Sequence, residues 1–119
     1  MRIKLFEQFI DKSAVLDEVD MCLVDLRDKG FVWNCELPAA LYISLYKVSS
    51  TVPFNGFKQD EIRDSIETMI EYFDEKYGVK EYSLTKPDSP GPGIKVDLND
   101  RYNRTIYYLN IKIDLGNEN

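Results

Sequence analysis

Positively charged side chains and a tyrosine gather in the segment 86–104, near the C-terminal end of the chain. Arg101, Tyr102 and Arg104 stand within four residues of one another, and two lysines precede them. A guanidinium group binds phosphate oxygens through paired hydrogen bonds, and an aromatic ring stacks on a nucleobase. The segment predicts a site for an anionic ligand such as a nucleotide. Simple solvation of a basic loop is the alternative.

Aromatic and polar residues at every second position of two expected strands form another candidate site. The members of this set are Tyr42, Ser44, Tyr46, Tyr108, Asn110 and Lys112. Because side chains alternate between the two faces of a strand, the residues of each strand share one face. Tyrosine offers a large, stiff contact area with a polar tip and is enriched at interfaces. The pattern predicts a binding face for a partner protein or a second copy of the chain. Cross-strand pairing on a half-solvated sheet is the alternative.

Two phenylalanines, Phe54 and Phe57, stand in a segment with loop composition, residues 49–59. An exposed phenylalanine in a loop can anchor a partner, whereas one that precedes a helix can pack beneath it. The sequence leaves both interpretations open, and we count both residues as binding candidates.

Catalytic chemistry has little support in the composition. The chain contains no histidine, which removes the commonest general base and metal ligand. Its two cysteines, Cys22 and Cys35, lie on apolar stripes, where free cysteine is a typical core residue. The carboxylate pairs are Asp17/Asp20, Asp60/Asp64 and Asp97/Asp100. A solvated helix face explains the first pair and the favourable helix dipole the second, while Asp97/Asp100 lacks the full spacing of a calcium loop. We therefore expect no enzyme activity, no cofactor and no metal.

The overall charge argues against nucleic acid as a partner. Fifteen basic residues stand against 21 acidic ones, which gives a formal net charge of −6. Since nucleic-acid binding draws its affinity largely from phosphate neutralisation, an acidic chain suits a basic protein surface better. Asp17, Asp20, Asp25 and Asp28 on the first expected helix could imitate the phosphates of DNA against such a surface.

Hydrophobic periodicity predicts two helices and several strands. The expected helices are residues 13–29, capped by Ser13, and residues 60–77, capped by Asp60. The expected strands are residues 31–37, 39–48, 79–85 and 105–115. Prolines and glycines make the segment 86–104 a long loop.

These elements predict one α+β domain over residues 1–119. The strands alternate rather than running apolar throughout, so we expect a mostly antiparallel sheet of four to five strands. Two helices on one face of it make a two-layer sandwich. Each helix is followed by strands, which suggests an (αββ)2 arrangement. If residues 2–8 form an edge strand, the order becomes ferredoxin-like with an added strand.

The N-terminal sequence and the two cysteines indicate the compartment in which the protein resides. No apolar run reaches the roughly 18 residues of a membrane span, and the N-terminus lacks the pattern of a secretory signal. Two cysteines without disulfide spacing fit a reducing compartment. We expect a cytoplasmic protein without membrane contact.

The N-terminal third resembles small orphan proteins of large tailed bacteriophages. The similarity rests on the opening Arg2-Ile-Lys-Leu-Phe-Glu-Gln-Phe and on Leu26-Arg-Asp-Lys-Gly-Phe-Val32 at the end of the first helix. It implies an accessory protein that acts stoichiometrically on a host protein, in host takeover or against host defence. The alternatives are a small-ligand binder that sequesters a nucleotide signal and a virion-associated structural protein.

Overall fold

The computed structural model describes residues 11–49, 55–88 and 91–116. The helices in these ranges are α1 (Lys12–Cys22), α2 (Val24–Arg27) and α3 (Gln59–Tyr77). The strands are β1 (Phe31–Glu36), β2 (Leu41–Lys47), β3 (Phe57–Lys58), β4 (Val79–Asp88), β5 (Gly91–Lys95), β6 (Thr105–Ile106) and β7 (Leu109–Leu115).

Five of the strands form one antiparallel sheet in the order β1-β2-β7-β4-β5, and β3 pairs with β6 in a small second sheet. The helices cover one face of the large sheet. This arrangement confirms the α+β two-layer sandwich that the alternating strands predict.

The core lies between the helices and the covered face of the sheet. Helical positions three and four apart supply one side of it, which the periodicity predicts. The buried helical residues are Val15, Val19, Leu23, Leu26, Ile62, Ile66, Met69 and Phe73. The strands supply Leu41, Ile43, Leu45, Leu84, Leu109, Ile111 and Ile113. A continuous apolar layer therefore joins the sheet to the helices.

Both helix starts differ from the sequence prediction by about one residue. Asp11, not Ser13, caps α1, and its carboxylate accepts a hydrogen bond from the Ala14 N–H at 3.3 Å. Lys58 precedes α3, and its N–H donates to Glu61 Oε2 at 3.0 Å. The first helix is also interrupted at Leu23, which separates α1 from α2.

Two αββ units are visible in the sheet. The first helical segment precedes β1 and β2, α3 precedes β4 and β7, and the order β1-β2-β7-β4 places an approximate twofold axis between β2 and β7. Gly30 and Gly78 occupy equivalent places, with φ of 95° and 77°. The Gly30 carbonyl accepts from the Val48 N–H at 2.9 Å, and the Gly78 carbonyl accepts from the Gly116 N–H at 2.7 Å. The structure therefore has the (αββ)2 arrangement that the succession of helices and strands suggests.

The central pairing also bears on the ferredoxin-like alternative. That order would place an N-terminal strand beside β2, and β7 occupies this position instead. The residues expected to form the N-terminal strand, 2–8, lie outside the described residues.

The expected long loop at 86–104 is largely a strand hairpin. β4 continues to Asp88, and β5 pairs back onto it with Thr85 opposite Lys95 and Lys86 opposite Ile94. Only residues 96–104 form an irregular connection. The expected strand 105–115 is likewise divided, because β6 belongs to the small sheet and β7 to the large one.

Candidate functional site

The side of the large sheet that faces away from the described helices brings the predicted tyrosine set together. We call this surface the open face and define it by Tyr42, Ser44, Tyr46, Tyr108, Asn110 and Lys112. Tyr42 lies opposite Lys112 and Ser44 lies opposite Asn110 in the pairing of β2 with β7. The register therefore makes one surface from residues more than 60 positions apart.

Side chains of the open face contact one another across the strands. The rings of Tyr46 and Tyr108 stack with centroids 5.5 Å apart and planes 3° from parallel. The Ser44 hydroxyl donates to Asn110 Oδ1 at 3.4 Å. The Lys112 ammonium lies 5.9 Å from the centre of the Tyr42 ring, and 42% of Tyr42 remains exposed. These contacts hold the side chains in one arrangement before any partner binds, which lowers the entropy cost of binding.

One corner of the open face is charged. Glu81 and Asp114 lie directly opposite each other in the pairing of β4 with β7. Together with Tyr82, Ser83, Lys95 and Lys112 they line a cavity of about 180 Å³. Like charges in opposite positions destabilise a sheet by a few tenths of a kcal/mol or more. The two lysines bring positive charge to the same cavity, so this corner presents both signs of charge.

The second predicted site lies in a turn that is attached to α3. The Asp60 N–H donates to Asn103 Oδ1 at 2.9 Å, and the Asn103 amide donates back to Asp60 Oδ2 at 3.0 Å. The Arg104 N–H donates to the Gln59 side chain at 3.3 Å, and the Arg63 guanidinium donates to the carbonyl oxygen of Leu98 at 2.5 Å. The irregular connection is therefore fixed to the start of α3.

Tyr102 projects from this turn with 65% of its surface exposed. The guanidinium carbons of Arg101 and Arg104 lie 5.3 Å and 5.4 Å from its ring centre. Arg104 Nε also donates to Asp100 Oδ2 at 3.0 Å. A hydrogen bond from the Tyr102 backbone N–H and the pairing with Arg104 lower the pKa of Asp100. The predicted anion-binding residues Arg101, Tyr102 and Arg104 therefore lie together. The carboxylate of Asp100 already pairs with Arg104.

The open face and the Tyr102 turn lie on different sides of the molecule. The turn is bonded to α3, which covers the opposite face of the sheet from Tyr42 and Tyr46. A nucleotide at Arg101 and Arg104 would therefore stack on Tyr102 and not on the tyrosines of the open face.

The two phenylalanine candidates have separate outcomes. Phe57 is buried, and its ring packs edge-to-face on Phe31 with centroids 4.9 Å apart. Phe57 therefore packs in the core, and the prediction that it binds a partner is wrong. Phe54 lies outside the described residues.

Both cysteines are half-buried against the core. Burial, reinforced by the negative charge of Asp20, raises the pKa of the Cys35 thiol to about 11. Burial and the Glu18 carboxylate raise the pKa of Cys22. Since the thiolate is the reactive form, these surroundings suppress the nucleophilicity of both sulfurs.

A buried charged cluster between α1 and α3 escaped the sequence analysis. Glu18 is only 8% exposed, and it accepts hydrogen bonds from the Lys76 ammonium and from the Tyr77 hydroxyl, the latter at 2.8 Å. Burial raises the pKa of Glu18, but the bonds from Lys76, Tyr77 and Tyr72 outweigh it and lower the pKa overall. Glu18 lies three residues after Val15 and four before Cys22, which places it on the apolar stripe of the helix. A carboxylate on that stripe was the sequence signal that could have predicted a buried charge.

The helical layer is the acidic side of the protein. Asp17, Asp20, Asp25 and Asp28 are exposed, as the DNA-mimicry hypothesis requires, although Asp20 also accepts from the indole N–H of Trp33 at 2.8 Å. α3 carries seven acidic residues and two basic ones. Within the described ranges no helix is long and apolar enough to cross a membrane. The same residues contain no group of three or more cysteine, aspartate or glutamate side chains that could hold a metal ion.

Comparison with protein-family models, with curated proteins and with solved structures finds no match to this chain. The resemblance of the N-terminal third to phage proteins therefore stays a prediction, and function must be argued from these surfaces.

Proposed function

We propose that the protein is a non-enzymatic binding protein that engages a partner protein stoichiometrically through its open face. The observation that carries the proposal is a sheet face that no helix of the described residues covers and that presents tyrosines in cross-strand contacts. Rigid aromatic side chains with polar tips dominate the binding energy of many protein interfaces. By the phage resemblance, the partner is a host protein.

The chemistry of the chain supports a protein partner over nucleic acid. The net charge is −6, and the open face carries carboxylates at one corner. The net negative charge of the chain disfavours phosphates, and a corner with both signs of charge suits a partner that presents polar and charged groups. The raised thiol pKa values also fit a protein that binds without forming covalent intermediates.

The size of the face limits the kind of contact. Five strands about 4.8 Å apart and about six residues long give an area of roughly 500 Å². A standard interface buries about 800 Å² on each partner. The partner must therefore extend past the sheet edges or bind transiently.

Paired surface variants test the proposal. Native mass spectrometry and affinity purification of the full chain from the host lysate identify the partner, and titration measures its affinity for each variant. Tyr42→Ser combined with Lys112→Glu should weaken binding at least 30-fold, the effect of losing about 2 kcal/mol at a hot spot. The matched control Tyr102→Ser, an exposed tyrosine on the turn attached to α3, should bind as the wild type does. Equal affinity of both variants would refute the role of the open face.

A helical-face variant separates this proposal from DNA mimicry. Asp17→Asn with Asp25→Asn and Asp28→Asn removes three exposed charges and leaves the open face unchanged. Under our proposal it binds the partner within a few-fold of wild type. Loss of binding in this variant, with the open-face variant unaffected, would assign recognition to the acidic helices instead.

Nucleotide binding is a second candidate function, favoured by the exposed Tyr102 ring between two arginines. A nucleotide at 100 times its Kd should stabilise the protein by about 2.7 kcal/mol. This shift should disappear in Arg101→Ala. If no nucleotide raises the unfolding midpoint, this candidate is excluded. A self-associating protein in the same native spectra would instead favour a virion-associated structural role.

A further inference from the structure

We propose that the cavity between the β4–β5 hairpin and the Tyr102 turn binds the phosphate group of a mononucleotide whose base stacks on Tyr102. We call this site the hairpin cavity. It rests on the second candidate function, nucleotide binding, and it adds the place where the phosphate lies. The open face takes no part in it.

The hairpin cavity lies on the helix side of the sheet and has an apolar lining. Lys86 pairs with Ile94 across the hairpin, and the Val96 N–H donates to the carbonyl of Leu84 at 2.8 Å. Because side chains alternate along a strand, Lys86, Ile94 and Val96 share the face of the buried Leu84. With Ile106 of β6 they line a volume of about 270 Å³. Ligand pockets usually measure about 300–1,000 Å³, so this cavity takes one end of a small ligand.

Cations outnumber carboxylates among the residues that line the hairpin cavity. Lys86, Lys95 and Arg104 are the cations, and Asp97 and Asp100 are the carboxylates. The cavity at the corner of the open face, in contrast, has two lysines and two carboxylates. A positive lining in a chain of net charge −6 selects an anionic ligand.

The two carboxylates of the hairpin cavity hold the turn together. Asp97 Oδ1 accepts from the Asn99 N–H at 2.9 Å. Asp100 Oδ1 accepts from the Tyr102 N–H at 2.9 Å, and its Oδ2 accepts from Arg104 Nε at 3.0 Å. These bonds offset part of the negative charge, and they explain both carboxylates without a ligand.

The cations of the hairpin cavity retain hydrogen-bond donors for a ligand. Among the described residues, the ammonium groups of Lys86 and Lys95 form no ion pair. Arg104 binds Asp100 through Nε, and the other N–H groups of a guanidinium belong to its two Nη nitrogens. Phosphate oxygens accept strong, charge-assisted hydrogen bonds from both kinds of group.

A buried amide adds another donor to this set. Gln59, at the start of α3, is only 3% exposed, and it lines the hairpin cavity. Its Oε1 accepts from the Arg104 N–H at 3.3 Å, which fixes Nε2 as the free end of the amide. No described group accepts from Nε2. Since no buried nitrogen or oxygen of the described side chains lacks a partner, Nε2 is accessible, and the hairpin cavity is the space that Gln59 lines.

Arg104 connects the hairpin cavity to Tyr102. It lines the cavity, and its guanidinium carbon lies 5.4 Å from the centre of the Tyr102 ring. The ring belongs to a residue that is 65% exposed, so a base can stack on it while the phosphate of the same molecule enters the cavity. The geometry therefore fits a ligand with one aromatic and one anionic end.

Calorimetric titration of the full chain tests the ligand class. The four ribonucleoside monophosphates are compared with their nucleosides. At least one monophosphate should bind about 30-fold more tightly than its nucleoside, which lacks the group that the cavity holds. Equal affinities would overturn the phosphate site and leave nucleotide binding in place. If no monophosphate binds at millimolar concentration, the second candidate function is refuted together with this site.

Single substitutions locate the phosphate. Lys86→Ala and Lys95→Ala should each weaken the monophosphate about fivefold and leave the affinity for the nucleoside unchanged. The matched control Lys12→Ala removes an exposed lysine of α1, which contacts α3 at Lys76, about 25 Å along the helix from Gln59. It should bind as the wild type does. Full affinity in both hairpin variants would place the phosphate elsewhere and refute the site.

Asp97→Asn should change the affinity in the opposite direction. Asparagine keeps a side-chain oxygen that can accept from the Asn99 N–H, and it removes a negative charge from the cavity. The monophosphate should therefore bind several-fold more tightly. Unchanged or weaker binding would contradict a phosphate beside Asp97.

NMR spectroscopy of the unmodified protein reports on the site without any substitution. Addition of the monophosphate should shift the side-chain amide signals of Gln59 and the backbone signals of Lys86 and Tyr102. The nucleoside alone should shift only the signals of the turn. Shifts confined to Tyr42 and Tyr46 would assign the ligand to the open face and overturn the proposal.

Discussion

The hydrogen bond between Tyr77 and Glu18 makes a measurable contribution to stability. Its removal by Tyr77→Phe leaves the ring in place and deletes one donor at 2.8 Å from a buried carboxylate. A hydrogen bond to a charged group contributes about 1.5–3 kcal/mol. Since Glu18 keeps its bond to Lys76, we expect the lower end of this range, about 1.5 kcal/mol.

Urea denaturation measures this loss. For a chain of this size a dependence on urea of about 1.5 kcal/mol/M is typical, so the midpoint should fall by about 1 M. The matched control Tyr42→Phe, on an exposed ring, should change stability by less than about 0.5 kcal/mol. A midpoint for Tyr77→Phe within about 0.3 M of wild type would refute the assigned hydrogen bond.

The alkaline side of the stability curve gives an independent check. Burial and the hydrogen bond to Glu18 raise the pKa of Tyr77 to about 12, from about 10 in the unfolded chain. The folded state therefore holds this proton more tightly. The contribution of the Tyr77 proton to the free energy of unfolding is complete below pH 10 and is lost as the pH rises towards 12. The phenylalanine variant cannot titrate, so its stability should fall less over this window, and an identical fall would contradict the proton linkage.

The remaining predictions concern the two helix-ending glycines and the thiols. Gly30→Ala and Gly78→Ala should each cost about 2 kcal/mol in urea denaturation, because φ is positive and the added Cβ meets a carbonyl oxygen at 3.2 Å. Clearly unequal costs would argue that the two units are not equivalent. Cys35 should react with a disulfide reagent at pH 8 roughly 100-fold more slowly than a free thiol, since its pKa lies near 11. Unfolding in urea should abolish the difference.

Most of the fold was predicted from the spacing of apolar residues along the chain. The stripe of Ile62, Ile66, Met69 and Phe73 predicts a helix with one buried face, and all four are buried. Alternation in β2 and β7 predicts a shared open face, and the register brings its members together. These features depend only on which face of an element meets the core, and sequence spacing determines that directly.

The hairpin of β4 with β5 was missed because proline and glycine were taken as signals of a loop. Pro92 stands in an edge strand opposite Asp88, where the pairing is irregular, and proline is tolerated at edges and bulges of a sheet. Gly93 has φ of 111°, a conformation that favours glycine. Composition alone does not distinguish such an edge strand from a loop, because the difference depends on which strand lies beside it.

Tertiary contacts also explain what the sequence could not show about the candidate sites. Phe57 precedes a helix in a polar segment, and only its contact with Phe31 from another part of the chain places it in the core. The attachment of Asn103 to Asp60 is equally non-local, and it moves Tyr102 away from the open face.

The departures from twofold symmetry indicate where the protein carries its specific features. The two αββ units share their helix, their helix-ending glycine and their pair of strands, which are requirements of the fold. The second unit alone contains the insertion from β5 to β6, and this insertion supplies the Tyr102 turn and, through residues 95–99, part of the lining of a cavity of about 210 Å³ beside Tyr82. The first unit has Trp33 in the place that corresponds to Tyr82, and there Arg27 and Asp20 contact the ring. Trp33 is half-buried, whereas Tyr82 is 53% exposed. The two units are therefore alike where the fold requires it, and they differ in the insertion and at this position.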